Sequence, residues 1–223
     1  MVGRLFLSGG GDEKQTYQLD EIFLNHLRSI IYIPIAWEDK NHDKCLSWFK
    51  NMIKTHDFNG QIKFLTDLSI SINLDDYDAI YIGGGNTFKL LKEINKTTFD
   101  KKLVNYFKNG GIIYGGSAGA IIQGADINTA LLCKDADVNN VNLKDTSGLN
   151  LIKDYDIQAH FEPDQIKEHQ SHIEKTNRNV IAIPEESALF FDGNEFKVIG
   201  LKSITVITKD SSRDYQVNEV LKI

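Results

Sequence analysis

The sequence predicts an α/β fold in which a mostly parallel sheet carries helices on both faces and receives an antiparallel addition near its C-terminus. Three observations lead there. β-rich runs alternate with segments of helical character up to about residue 123, the signature of a doubly wound sheet. Runs such as Ile30-Ile31-Tyr32-Ile33-Pro34-Ile35 are apolar without alternation, as strands covered on both faces are. After about residue 178 the helical segments stop and short β-rich runs follow one another.

In chain order, residues 4–8 form a short strand closed by Gly9-Gly10-Gly11, and residues 16–27 a helix. Residues 30–35 are a strand, 43–55 a helix and 61–65 a strand. The strand at 79–82 ends in Gly83-Gly84-Gly85 and is followed by helices at 87–94 and 100–108. The strand at 112–114 ends in Gly115-Gly116. Residues 155–159 are β-like, and a helix begins at Pro163, since proline suits the first helical position. Runs at 180–183, 188–191, 196–199 and 204–208, with Asp192-Gly193-Asn194 as a turn, read as an antiparallel meander closing one edge of the sheet. No repeat, low-complexity tract or linker interrupts the chain, which predicts one domain over residues 1–223.

Composition narrows the function. Lys+Arg 25 against Asp+Glu 31 gives a formal charge of -6, which argues against a general nucleic-acid binder. No apolar run approaches the roughly 18–20 residues that cross a bilayer. The N-terminal stretch reads as a strand ended by glycines, not as a signal peptide. The two cysteines, Cys45 and Cys133, lack a CxxC partner and read as reduced thiols. These features predict a cytoplasmic protein without membrane or nucleic-acid partners.

Chemistry concentrates at two glycine-rich turns. Gly115-Gly116-Ser117-Ala118-Gly119-Ala120 follows a strand and opens an apolar segment, the Gly-x-Ser-x-Gly pattern and context of a nucleophile elbow. Such a turn projects the serine hydroxyl at the end of the sheet, and the helix start behind it offers free N–H groups to an oxyanion. The second turn, Gly83-Gly84-Gly85-Asn86-Thr87, exposes backbone amides above another strand end, with Asn86 or Thr87 as helix cap. Taken alone, it is equally an anion-binding turn, although it lacks the Lys-Ser/Thr ending of a phosphate-binding loop. Both turns fall at the carboxyl ends of strands, where open α/β sheets bind ligands.

A serine nucleophile needs a base. His26, His42 and His56 lie in charged helical surroundings and read as surface residues. His169 and His172 stand three apart on the helix after Pro163, a metal-compatible spacing that no carboxylate motif supports, so no metal is expected. His160 ends the β-like stretch at 155–159, where a base can reach the elbow serine. Spacing leaves the orienting carboxylate open among Glu185, Asp137 and Glu162.

The run from Ile82-Gly83-Gly84-Gly85-Asn86-Thr87 to Glu93, followed by Gly116-Ser117-Ala118-Gly119-Ala120, resembles the S51 serine peptidase family. Its best-known members are α-aspartyl dipeptidases, and cyanophycinases are more distant relatives. The resemblance covers most of the chain, from the strand at residues 5–9 to residues 183–189. It implies a flavodoxin-like sheet akin to that of class I glutamine amidotransferases, a Ser-His-Glu triad, and a small peptide as substrate without a cofactor. Matched by motif, Ser117 is the nucleophile, His160 the histidine in its His-Phe context, and Glu185 the glutamate in its Pro-Glu context. Asp137 stands at a position also suspected in the family. The oxyanion hole falls on the N–H groups of Gly85 and Ala118, and Gly84, Asn86 and Thr87 are expected to bind substrate. The rival readings are an amidase or cyanophycinase-like isopeptidase, and a non-catalytic anion- or nucleotide-binding protein.

The sequence departs from the family in one place. The aspartyl dipeptidases carry a Gly-Glu-Thr-Arg-like stretch shortly after the histidine, and here the region runs from Pro163 to His172. Lys167, Lys175 and Arg178 are its nearby cations, and the two lysines, about 2.2 turns apart on one helix, read as solvated. A weak or altered acidic preference is therefore expected.

Overall fold

The structure is a computed structural model that describes residues 2–37 and 42–222. Five strands, β1 (Arg4–Ser8), β2 (Ser29–Ile33), β3 (Gln61–Phe64), β4 (Ala79–Ile82) and β5 (Ile112–Gly116), lie parallel in the spatial order β1-β5-β4-β2-β3. In β1, β2, β4 and β5 the side chains alternate between two buried faces, whereas edge strand β3 is exposed or half-buried. On one face Tyr32, Tyr81, Tyr114 and Phe6 pack against Phe23 of α1 (Tyr17–Leu24) and Phe49 and Met52 of α2 (Asp43–Thr55). On the other, Ile31, Ile33, Ile80, Ile82 and Ile113 meet α3 (Thr87–Lys96) and α4 (Phe99–Lys108) through Phe88, Leu91 and Leu103. Burial on both faces is why these runs show no alternation in sequence.

After the short helix α5 (Ala118–Ile121) come β6 (Tyr155–Gln158), a 3₁₀ turn at Pro163–Gln165, α6 (Ile166–Thr176) and β7 (Asn179–Ala182). The remaining strands are β8 (Ser187–Phe191), β9 (Phe196–Gly200), β10 (Ile204–Ile207), β11 (Ser212–Tyr215) and β12 (Val220–Leu221). β8 joins β1 antiparallel, and β9 and β12 extend that edge, giving the order β12-β9-β8-β1-β5-β4-β2-β3.

The expected single meander is corrected here, because the strands after residue 178 divide between two sheets. β7 runs parallel to β6 and antiparallel to β10 in a separate four-stranded sheet, β11-β10-β7-β6. The reason is burial on both sides. Val180 and Ala182 pack with Phe161 and Ile173 beneath α6, while Ile181 and Ile183 face the main core. A run apolar on both faces carries no mark of which sheet it joins. The small sheet is tied to the end of β1 where the His160 N–H donates to Gly9 O at 2.9 Å.

Candidate active site

β5 ends at Gly116, and Ser117 then adopts φ 52°, ψ -113° before α5 begins. A positive φ is costly for a residue bearing a Cβ, of order 1–3 kcal/mol, and persists where the surroundings impose it. Here the Ser117 N–H is held by Ser8 O at 3.1 Å, and Ser117 O accepts from Ala120 N at 2.8 Å. The turn is thus clamped between β1 and α5. Ala118 opens α5, so its N–H has no partner within the helix.

Across the crevice, Gly85 takes φ +132°, and a Cβ there would lie 2.4 Å from Ala36 O, so this position accepts only glycine. The neighbouring amides are committed, Gly83 N–H to Ile33 O and Asn86 N–H to Ala36 O. Among the described residues, that of Gly85 is taken by no backbone carbonyl.

His160 follows β6 and Glu185 follows β7, so both come from the small sheet, whereas Ser117 follows β5 of the main sheet. The two sheets meet with His160 Nε2 at 2.8 Å from Ser117 Oγ and His160 Nδ1 at 2.9 Å from Glu185 Oε1. An ionised carboxylate can only accept, so Nδ1–H donates to Glu185, and Nε2 accepts from the Ser117 hydroxyl. Gln15, which sequence reasoning passed over, donates from Nε2 to Glu185 Oε2 at 3.3 Å and to Glu186 Oε1 at 3.1 Å. Nothing in its sequence neighbourhood marks it, because its partners lie 170 and 171 residues away.

The other candidate carboxylates are engaged elsewhere. Asp137 Oδ2 accepts from the Thr87 N–H at 2.8 Å, at the start of α3. Glu162 forms a capping box with Gln165 and pairs with Lys134 at 3.3 Å. Gly84 and Gly85 wall the cavity beside Ser117. Asn86 and Thr87, expected to bind substrate, are instead buried within the turn. The Asn86 side chain caps α3 by accepting from Lys89 N–H at 2.9 Å and donates to Val138 O at 2.9 Å.

Neither α6 histidine faces this site. His169 is buried between Gln158 Oε1 at 2.9 Å and Gln165 O at 2.6 Å, and burial lowers its pKa. His172 Nε2 meets Asp156 Oδ2 at 2.8 Å, beside the Arg178 Nε contact with Asp156 Oδ1 at 2.9 Å. Arg178 is therefore spent on a buried carboxylate, and Lys167 and Lys175 are exposed.

Two cavities flank the Ser117–His160 pair. One, of about 500 Å³, is walled by Gly84, Gly85 and Gly116 and by aromatic side chains. The other, of about 420 Å³, is walled by Cys133, Lys134, Glu162, Pro184, Glu185 and Lys202. Among the described residues, no helix is long and apolar enough to cross a membrane.

The model of peptidase family S51 matches residues 5–199. The chain belongs to peptidase family S51. An uncharacterized peptidase of Listeria monocytogenes is 33% identical to this S51 chain over 129 residues, which is 56% of the chain and only 62% of the Listeria protein's length. Peptidase E of Shewanella denitrificans is 28% identical over 193 residues, 77% of the chain and 74% of that protein. The crystal structure of a peptidase from an acI-B1 Actinobacterium aligns at TM-score 0.75 and 20% identity, covering 100% of this S51 chain and 98% of the other. At that identity the likeness shows a shared fold.

Proposed function

We propose that this S51 chain is a serine-type, dipeptidase-like exopeptidase acting on small peptides. The observation that carries the reading is the unbroken Ser117–His160–Glu185 hydrogen-bond chain, at 2.8 and 2.9 Å, behind a serine held in a strained turn. In the proposed cycle His160 Nε2 takes the Ser117 proton as Oγ bonds to the scissile carbonyl carbon. The tetrahedral oxyanion is held by the N–H groups of Gly85 and Ala118, each worth about 2.7–4 kcal/mol of barrier in comparable sites. Collapse breaks the C–N bond, and His160 hands its proton to the leaving amine. Water then attacks the acyl-serine and gives a proton to His160. Breakdown of that second intermediate releases the carboxylic acid and returns the proton to Ser117. Glu185 holds the imidazole tautomer and balances the imidazolium.

The two compact cavities support a substrate with little more than one residue on either side of the bond. An anion-binding turn would have no use for an imidazole and a carboxylate in line with its serine, which disfavours the non-catalytic reading. With Arg178 bonded to Asp156, strict cleavage after aspartate is not part of the proposal. The test is dipeptide hydrolysis, with simple amides and isopeptides run alongside. Ser117→Ala and His160→Ala are each expected to lower kcat by about four orders of magnitude or more, with the double variant little worse. A Ser117→Ala protein that keeps a tenth of the activity would overturn the assignment.

A further inference from the structure

The strand register builds an aromatic row across the main sheet. Phe64, Tyr32, Tyr81, Tyr114, Phe6 and Phe190 are successive cross-strand partners on β3, β2, β4, β5, β1 and β8. Its centre is packed ring on ring: Tyr81 stacks on Tyr114 at 4.3 Å, Tyr32 on Phe49 at 4.1 Å, and Trp48 of α2 meets Tyr81 at 6.3 Å.

Tyr32, Tyr81 and Tyr114 of this row, with Trp37 and Trp48, form the aromatic wall of the larger cavity beside Ser117. Two positions without side chains open the way to it. A Cβ on Gly116 would lie 3.7 Å from both Tyr114 Cε1 and Tyr81 Oη, and one on Gly84 would lie 3.1 Å from Ser117 Cβ. The space between the Ser117 hydroxyl and the rings is thus left clear by the residues that end β5 and follow β4.

The cavity does not suit an anion. Apart from His160, its one charged lining residue among those described is Lys44, exposed at the rim. An ammonium in water is a weak substitute for a buried guanidinium. Directly behind the rings Asp20 is fully buried, with Thr16 Oγ1 donating to its Oδ2 at 2.8 Å and the Tyr114 hydroxyl beside it. Among the described residues, a carboxylate entering this cavity would find no lining cation besides Lys44 and His160.

The side of the scissile bond follows from the walls. This cavity is bounded by Gly84, Gly85 and Gly116, next to where the carbonyl oxygen is held. The other is bounded by Glu185, Lys134 and Lys202, behind the imidazole that protonates the leaving amine. We infer that the aromatic cavity receives the side chain of the acyl residue, so that the substrates are small peptides with an aromatic residue, not an acidic one, on the acyl side of the cleaved bond. The inference rests on Ser117 being the nucleophile.

The test compares kcat/KM for Phe-Leu, Ala-Leu and Asp-Leu on the full chain, with p-nitrophenyl acetate, whose acyl group has no side chain, as a separate readout of Ser117. Phe-Leu is expected to exceed Ala-Leu by at least about thirtyfold, within the range that apolar pockets achieve, and to exceed Asp-Leu by more. Trp48→Ala and, as a milder change, Trp48→Leu are expected to narrow the ratio of kcat/KM for Phe-Leu over Ala-Leu about tenfold or more, and an unchanged ratio in both would overturn the inference. Asp-Leu turnover equal to or above Phe-Leu would overturn the inference. If Ser117-dependent ester hydrolysis survives in that case, the catalytic reading stands without it. Loss of both ester and peptide turnover would overturn the two together.

Discussion

Replacing Gly10 by alanine tests the site geometry without touching any of the three residues assigned to the chemistry. Gly10 has φ +96°, and a Cβ there would sit 2.4 Å from His160 Cε1, 3.0 Å from Nε2 and 3.1 Å from Nδ1. Two costs follow. The backbone is forced into a region that L-residues avoid, worth about 1–3 kcal/mol, or a fall in Tm of roughly 2–10 °C for a protein of this size. The imidazole must also withdraw by about 1 Å to reach ordinary contact distance, and a misplacement of that size costs on the order of a hundredfold in rate. The 2.8 Å Ser117–His160 contact is the bond that gives way, because the His160 backbone is fixed to Gly9 O. Steady-state kinetics on a dipeptide, paired with a thermal melt, should show kcat lowered about a hundredfold and KM changed little. A folded Gly10→Ala protein with wild-type kcat would refute the placement of His160.

Three further outcomes are expected. Burial pushes the Asp20 carboxyl up from 3.8 to about 7, so the folded state prefers it protonated. The contribution of this one group to stability is then greatest below about pH 4, declines as pH rises towards 7 and levels off above, amounting to at most about 4 kcal/mol. Urea titrations of Asp20→Asn should show this slope reduced and the variant gaining on wild type at pH 8, and a parallel pH dependence would contradict it. Asp137→Ala removes the acceptor for Thr87 N–H, which should cost about 0.5–2 kcal/mol by analogy with other helix caps. It should also lower kcat/KM by loosening the Gly85 turn, and unchanged values of both would show that the cap is idle. Glu185→Gln should lower kcat by about 10³–10⁴-fold through the wrong imidazole tautomer, whereas a loss below threefold would remove Glu185 from the mechanism.

Local pattern made most of the main sheet legible. β1 and β4 fall at the residues where the sequence places strands, and α2 spans Asp43–Thr55 as expected. Alternation of β and α segments depends on neighbours in sequence, and both glycine turns were visible for the same reason. What stayed hidden depends on distant pairing. Membership of β6 and β7 in a second sheet could not be read from runs apolar on both faces. Spacing alone could not choose Glu185 over Asp137, because the Ser117–His160–Glu185 alignment is set where the small sheet meets β1 through Gly9. Lys134 and Lys202, which wall the second cavity, come from segments far in sequence from residues 163–178, so nothing local links them to the site. The aromatic row needs the register of six strands at once, so no single segment announces it.

The central claim is that Ser117 is an activated nucleophile, and covalent labelling reads that directly. The full chain is treated with a fluorophosphonate, its intact mass is measured, and the modified peptide is mapped. The account predicts one added phosphonyl group per chain, on Ser117, at a rate that collapses in His160→Ala although Ser117 is still present. A folded protein that takes no label, or takes it on another residue while Ser117 stays unmodified, would contradict it.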